Sequence, residues 1–246
     1  MKNLIKISNL LYIKLAFLTI ILYGMNIIYT KRLYRKYPKD TPMAEVTKDT
    51  IFVFDLHGVL FKLNPIEVVK EAIKVPHKFK LFSIIFYPHV IANAISSLYK
   101  GTVAEKIVIN VDKKFPNLEF ISSGLNILNA QSPIKQSIDI VSDLKKAGHK
   151  VYILSNIGEH SLDILKNKYP EIFSHFDGIM GTTPEDDYIQ KPNPIAFEKY
   201  LVKFGHEKSK LIFIDDQMKN VISARNMGIS SILFTTPYNL RRQLSI

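Results

Sequence analysis

Three carboxylates and a hydroxyl stand directly after apolar runs in this chain, and an ammonium stands just ahead of a helical stretch. Asp55 closes FVFD, with His57 and Gly58 immediately behind it. Ser155 and Asn156 close VYILSN, Asp215 and Asp216 close LIFIDD, and Lys191 lies in QKPNP. Carboxylates are hard oxygen donors of the kind Mg²⁺ takes. A lysine and a serine hydroxyl bind phosphate oxygens, and a carboxylate can itself attack phosphorus to give an acyl phosphate. Gathered on one rim, these groups suit phosphoryl chemistry around one divalent cation. Taken singly, each has a plainer use. A strand-terminal Asp or Ser caps a helix or forms a turn, and a lysine before proline is commonly a solvated loop residue. The Asp215–Asp216 pair is harder to dismiss, because adjacent acids repel unless a cation or donors offset them.

Such residues meet only if their runs lie side by side. Ile51–Asp55, Lys150–Ser155, Gly178–Met180 with its flanks, Leu211–Ile214 and Ser231–Phe234 are short and nearly continuously apolar. They read as strands buried on both faces of a parallel sheet. Helical patterns lie between most of them, over Pro133–Ala147, Ser161–Tyr169, Pro194–Phe204 and Asn220–Met227, with Gly148 as a stop after the first. Strands alternating with helices imply an α/β fold, a doubly wound Rossmann-like parallel sheet. In such sheets ligands bind beyond the carboxyl ends of the strands. Residues 63–132 break the alternation. They hold helical-looking segments (Pro65–Lys74, Ser83–Tyr99) and are too long for one crossover, so an inserted helical cap is expected there. The core is expected over 41–62 and 133–246, entered through a linker at 41–49.

The chain has 246 residues, no cysteine and a net charge of +11. The absence of cysteine excludes disulfides and thiolate metal sites. The charge is concentrated: residues 1–40 hold eight Lys or Arg and one Asp, leaving +4 for the other 206 residues. No arginine-rich stripe follows, so no nucleic-acid partner is expected. Residues 10–29, LLYIKLAFLTIILYGMNIIY, carry one charge, Lys14, and reach the length of about 20 residues that a membrane span needs. A hydrophobic and basic membrane segment is therefore expected over 1–40, as an N-terminal hydrophobic helix, with a cleaved secretory signal as the rival. Five Lys or Arg within 31–39 favour a membrane-anchored protein with its catalytic domain on the cytoplasmic side; the alternative is export.

FDLHGVL, ILSN, QKPNP and IDDQMKNVISARNMGI together resemble the four motifs of the haloacid dehalogenase superfamily of hydrolases. The flanking phrases PIKQSIDIVSDLKKAGHKVYILSN and FDGIMGTTPEDDYIQKPNPIAFEKYL resemble its subgroup with a helical cap between motifs one and two. The likeness runs from about 50 to 236, the cap matching only by position and length. It implies a Mg²⁺-dependent phosphatase acting on a small phosphorylated metabolite through an aspartyl-phosphate. Asp55 would be the nucleophile, Ser155 and Asn156 would hold the phosphoryl group, and Lys191 would bind it and offset its charge. Asp216 would bind Mg²⁺ with Asp215 assisting, joined by Asp55 and the main-chain carbonyl of His57. The departure is His57, where phosphatases of this superfamily usually carry a second Asp as acid and base. An imidazole can fill that role, but its charged form is disfavoured beside Mg²⁺. Two alternatives follow: a catalytically impaired, membrane-tethered binding or scaffold protein, and a metal-independent dehalogenase, which the Asp pair disfavours.

Overall fold

A computed structural model describes residues 45–64, 66, 67, 70 and 130–246. The expected membrane segment over 1–40 and nearly all of the expected cap over 63–132 lie outside these residues. Among the described residues, no helix is long and apolar enough to cross a membrane. By its contacts the chain forms two compact units, Tyr29–Lys62 with Ser132–Ile246, and Met1–Ile28 with Leu63–Gln131. Every candidate site residue belongs to the first.

That unit is built on five parallel strands: β1 (Ile51–Phe54), β4 (Lys150–Gly158), β5 (Gly178–Thr182), β6 (Leu211–Asp215) and β7 (Ser230–Leu233). Their order is β5-β4-β1-β6-β7. β1 lies at the centre, its Phe54 level with Ile153 of β4 and Ile214 of β6. The chain first builds outward from β1 on one side through β4 and β5, then returns to the other side for β6 and β7. β1 is thus where the winding reverses, the place at which such sheets hold ligands.

Both faces of the sheet are covered, which explains the continuous apolar runs. Alternate side chains of β1 point to opposite faces. Phe52 and Phe54 join one core with Val151, Ile153, Ile212 and Ile214. Onto this face pack α1 (Lys135–Lys146) through Ile140, Val141 and Leu144, α2 (Glu159–Lys168) through Leu162 and Leu165, the short α3 (Pro170–Phe173), and α6 (Pro237–Leu244) through Leu240 and Leu244. Val53 points the other way, with Leu154, Leu211 and Phe213, toward Phe197 and Tyr200 of α4 (Pro194–Phe204) and Ala224 of α5 (Met218–Asn226). The buried positions of α1 recur at helical spacing, and Lys145 and Lys146 sit in its last turn, where cations complement the helix dipole.

Several boundaries differ from expectation for physical reasons. β4 does not end at Ser155 but runs on to Gly158 through an irregular stretch of pairing with β5 between Leu154 and Gly158. α5 starts at Met218, two residues before Asn220. Pro133 belongs to a strand, not to the helix after it. That strand, β3 (Gln131–Pro133), pairs with β2 (Phe61–Leu63) in a separate two-stranded sheet. Asn64 N donates to Ala130 O at 2.9 Å, and Ile134 N donates to Leu60 O at 2.8 Å.

Candidate active site

Asp55 is the first residue past β1, and its amide is still tied to the ladder, donating to Ile214 O at 2.8 Å. Its side chain is buried beside the flanking strands. The next turn is tight: Leu60 N and Phe61 N both donate to Leu56 O, and Gly58 N donates to Phe61 O. Gly58 has φ +80°, a left-handed conformation that costs other residues strain. It also makes room: a Cβ there would lie 2.3 Å from Oδ2 of Asp216. The absence of a side chain at 58 lets the β6 carboxylate approach the β1 turn.

Lys191 is fully buried, with 1 % of its side chain exposed. Its ammonium donates to Leu154 O at 2.6 Å and to Asp215 Oδ2 at 2.7 Å, and lies 3.0 Å from Asp55 Oδ1. The face of Phe213 lies 5.0 Å beneath it. Burial lowers the pKa of this lysine, but Asp215 and then Asp55 outweigh burial and raise it above the ordinary value. It is therefore a fixed positive charge joining β1, β4 and β6.

The Asp pair divides its labour. Asp215 is fully buried and saturated: Gln217 N donates to Oδ1 at 2.8 Å, and Asn220 Nδ2 lies 3.0 Å from each oxygen. Burial raises its pKa, Lys191 opposes, and Asp55 adds to the rise. Asp216 is different. Its Oδ1 is buried without a hydrogen-bond partner. Burial first, then Asp55 and Asp215, push its pKa up to about 8.

Oxygens of Asp55, Asp215 and Asp216 lie within 4.8 Å of one another. Three carboxyl groups against one ammonium leave a surplus of negative charge in a buried place once Asp216 gives up its proton. Hard oxygen donors, an orphaned buried carboxylate oxygen and uncompensated charge are what a small divalent cation such as Mg²⁺ would satisfy. The residues present fit that ion.

Ser155 Oγ is also buried and unpartnered, on the strand next to Asp55. The side chain of Asn156 is engaged at both ends by the backbone of Lys191. His57 is partly buried, and its ring has no hydrogen-bond partner among the described residues. Burial, and after it the charge of Lys191, push its imidazole down to about 4. At neutral pH the ring is uncharged. The structure thus brings Asp55, His57, Ser155, Lys191, Asp215 and Asp216 together at the carboxyl-end rim of β1, β4 and β6, with Ser155 and Asp215 still inside their strands. Sequence reasoning missed Asn220, which holds Asp215 from the first turn of α5. Its position five residues after Asp215, on the helix leaving that strand, was the available signal.

The sequence profile of the family described as haloacid dehalogenase-like hydrolase matches residues 52–234. A sesquiterpene phosphatase of Aspergillus oryzae is 24% identical over 186 residues, covering 74% of this chain and 88% of that protein. A solved enzyme of the same family from Bacteroides thetaiotaomicron has a TM-score of 0.57 at 19% identity, covering 79% of this chain and 98% of that one. A variant of that enzyme in complex with magnesium and inorganic phosphate has a TM-score of 0.53 at 17% identity, covering 76% of this chain and 94% of that one.

Proposed function

The chain belongs to the haloacid dehalogenase-like hydrolase family, and from that premise we propose that it is a Mg²⁺-dependent phosphohydrolase with Asp55 as nucleophile. The observation that carries this reading is the pairing of a buried, lysine-held Asp55 with two buried polar atoms that nothing satisfies, Ser155 Oγ and Asp216 Oδ1. Both lie beside the Asp55–Lys191–Asp215 charges, where a phosphate oxygen and a cation would supply their partners; Asn220 Oδ1, behind Asp215, is unpartnered as well.

A bound Mg²⁺, held by the carboxylates of Asp55 and Asp216 and the main-chain oxygen of His57, with Asp215 behind them, would screen an anionic phosphate from the anionic nucleophile. The chain's own groups do the rest. Oδ2 of Asp55 attacks phosphorus while Lys191 holds Oδ1. The ester P–O bond breaks, and its electron pair leaves with the organic oxygen, which takes a proton from water. Ser155 Oγ–H donates to a phosphoryl oxygen, and Lys191 offsets the charge that develops there. Water then attacks the aspartyl-phosphate and releases inorganic phosphate, restoring the Asp55 carboxylate. His57, neutral at pH 7, accepts the proton of that water and passes it to solvent, where it neutralises the hydroxide left by the first step. As a neutral ring it supplies no proton to the leaving group, so the first step depends on the leaving group's own stability.

Within this reading the substrate is a phosphate ester of an apolar organic group. Three features support it: the sesquiterpene phosphatase relative, the apolar stretch LFSIIFYPHVIANAISSLY at 81–99, and the apolar stretch at 10–29. An amphiphilic phosphate collects at membranes, where an N-terminal anchor would hold the enzyme, its catalytic domain on the cytoplasmic side. The purified chain is assayed with p-nitrophenyl phosphate, farnesyl monophosphate and glucose 6-phosphate, with and without Mg²⁺. Phosphate release that requires Mg²⁺, disappears in Asp55→Asn and shows the highest kcat/KM for the farnesyl ester is the expected result. Metal-independent release, or undiminished release by Asp55→Asn, overturns it. The second reading, a binding protein without turnover, is favoured by His57 and predicts Mg²⁺ and phosphate binding with no release from any ester.

A further inference from the structure

We propose that Asn156 is a positioning residue that acts through Lys191. Its side chain is a two-point clamp: Nδ2 donates to Lys191 O at 2.8 Å, and Oδ1 accepts from Lys191 N at 2.8 Å. One carboxamide thus supplies Lys191 with the donor and the acceptor that a neighbouring strand would otherwise provide. No strand does so here, because Lys191 lies between the 3₁₀ turn Pro184–Asp186 and α4. The clamp also sits where β4 leaves regular pairing with β5.

The placement gives the contact its meaning. Leu154 O accepts from the Lys191 ammonium at 2.6 Å, and Asn156 holds the Lys191 backbone. Ser155, between them, carries the unpartnered hydroxyl. Three consecutive residues of β4 therefore fix both ends of Lys191 and the hydroxyl that would share a phosphoryl group with it. A lysine side chain has four rotatable bonds, so fixing its ammonium alone leaves the loop free to drift. Fixing the backbone as well sets the distance from Lys191 to Ser155 and Asp55. Both ends of the Asn156 carboxamide are engaged, so its work is on the loop and not on a ligand.

The structural part stands by itself; the consequence for turnover rests on the phosphohydrolase reading. In the metal-free full chain, the acetylation rate of Lys191 by an N-hydroxysuccinimide ester is followed by mass spectrometry. In Asn156→Ala the Lys191 rate rises about tenfold, the scale set by losing two hydrogen bonds. Lys145, paired with Asp177 at 2.7 Å elsewhere, reports general loosening and stays unchanged. An unchanged Lys191 rate, or a parallel rise at Lys145, overturns the proposal. Asn156→Asp keeps the acceptor and loses the donor. It falls between wild type and Asn156→Ala, and it serves alone if Asn156→Ala does not fold. With an aryl phosphate and Mg²⁺, Asn156→Ala lowers kcat with KM little changed. In a Lys191→Ala background it lowers kcat no further, because a residue acting only through Lys191 has nothing left to act on. Independent, multiplying losses overturn the proposal. If the wild type releases no phosphate, the phosphohydrolase reading fails, and the labelling result still decides the role of Asn156.

Discussion

Replacing Lys191 by methionine keeps an apolar stem and removes the ammonium, which lies over Phe213 and donates to Leu154 O. Asp55 and Asp215 then lose the cation at 3.0 Å and 2.7 Å. Removing one partner of a buried ion pair commonly costs about 3–5 kcal/mol. Here the cost has a ceiling, because the pair can escape it by taking up a proton. One proton suffices, since Asp215 keeps its donors Gln217 and Asn220. Protonating a carboxylate of ordinary pKa near 3.9 costs about 4 kcal/mol at pH 7 and about 1.5 kcal/mol at pH 5. In the variant, the folded-state pKa of the pair is raised above its unfolded value. The stability that goes with the bound proton is present at low pH and lost as pH rises. Lys191 in the wild type has a raised pKa and stays charged throughout this range. The loss is therefore about 4 kcal/mol at pH 7 and about 1.5 kcal/mol at pH 5. At about 2–4 °C per kcal/mol for a chain of this size, Tm falls by about 8–16 °C and about 3–6 °C respectively. Thermal unfolding of metal-free wild type and Lys191→Met at the two pH values measures this. An equal loss at both would show that packing, not charge, is what Lys191 contributes, and would refute the reasoning.

Mg²⁺ raises Tm more at pH 8 than at pH 5.5. The Asp216 carboxyl, pushed up to about 8, favours the metal-free fold while protonated, a contribution lost as pH rises from about 4 to about 8, and its proton must leave before a cation can bind. Asp216→Asn removes both the Mg²⁺ response and its pH dependence; a Mg²⁺ response that survives the substitution sinks the assignment. Gly58→Ala forces a Cβ to 2.3 Å from Asp216 Oδ2 at φ +80°. It costs roughly 1–2 kcal/mol from the backbone alone by denaturant titration and weakens the Mg²⁺-induced rise in Tm; an unchanged rise would show that Asp216 does not depend on that space. His57→Asp speeds hydrolysis of alkyl phosphates more than of aryl phosphates, because a phenolate departs without a proton and an alkoxide does not. Equal effects on both, read from kcat, would show that the leaving group is not protonated from position 57.

The strand ends were legible because burial on both faces leaves an unmistakable pattern. Phe52 and Phe54 on one side of the sheet and Val53 on the other make FVF continuously apolar, so the carboxylate after it stands out. Asp55, Ser155 and Asp216 stand out in this way, whereas Lys191 was singled out by QKPNP ahead of the next helix. What each of them touches was not legible. Nothing in IDDQ says that Asp215 is saturated by Gln217 and Asn220 while Asp216 keeps a free oxygen. That difference depends on how α5 leaves the strand. The clamp between Asn156 and Lys191 spans 35 residues and has no local signal. β2 and β3 are three residues each, too short for any periodicity to register. α6 went unnoticed although Thr236 caps it by accepting from Asn239 N and Pro237 opens it, because the chain after Phe234 is polar and the helix buries only Leu240 and Leu244.

The two-stranded sheet β2–β3 has a bearing on how this molecule can change. The peptide groups of Asn64 and Ala130 are one hydrogen bond apart, as are those of Leu60 and Ile134. Residues 65–129 thus leave and re-enter the chain at nearly the same point, and the entropy of closing that excursion grows only slowly with its length. Lengthening, shortening or exchanging the excursion leaves the register of β1 with β4 and β6 untouched. The doorway makes the intervening stretch portable: its length can change while the sheet that carries Asp55, Ser155 and Asp215 stays closed behind it.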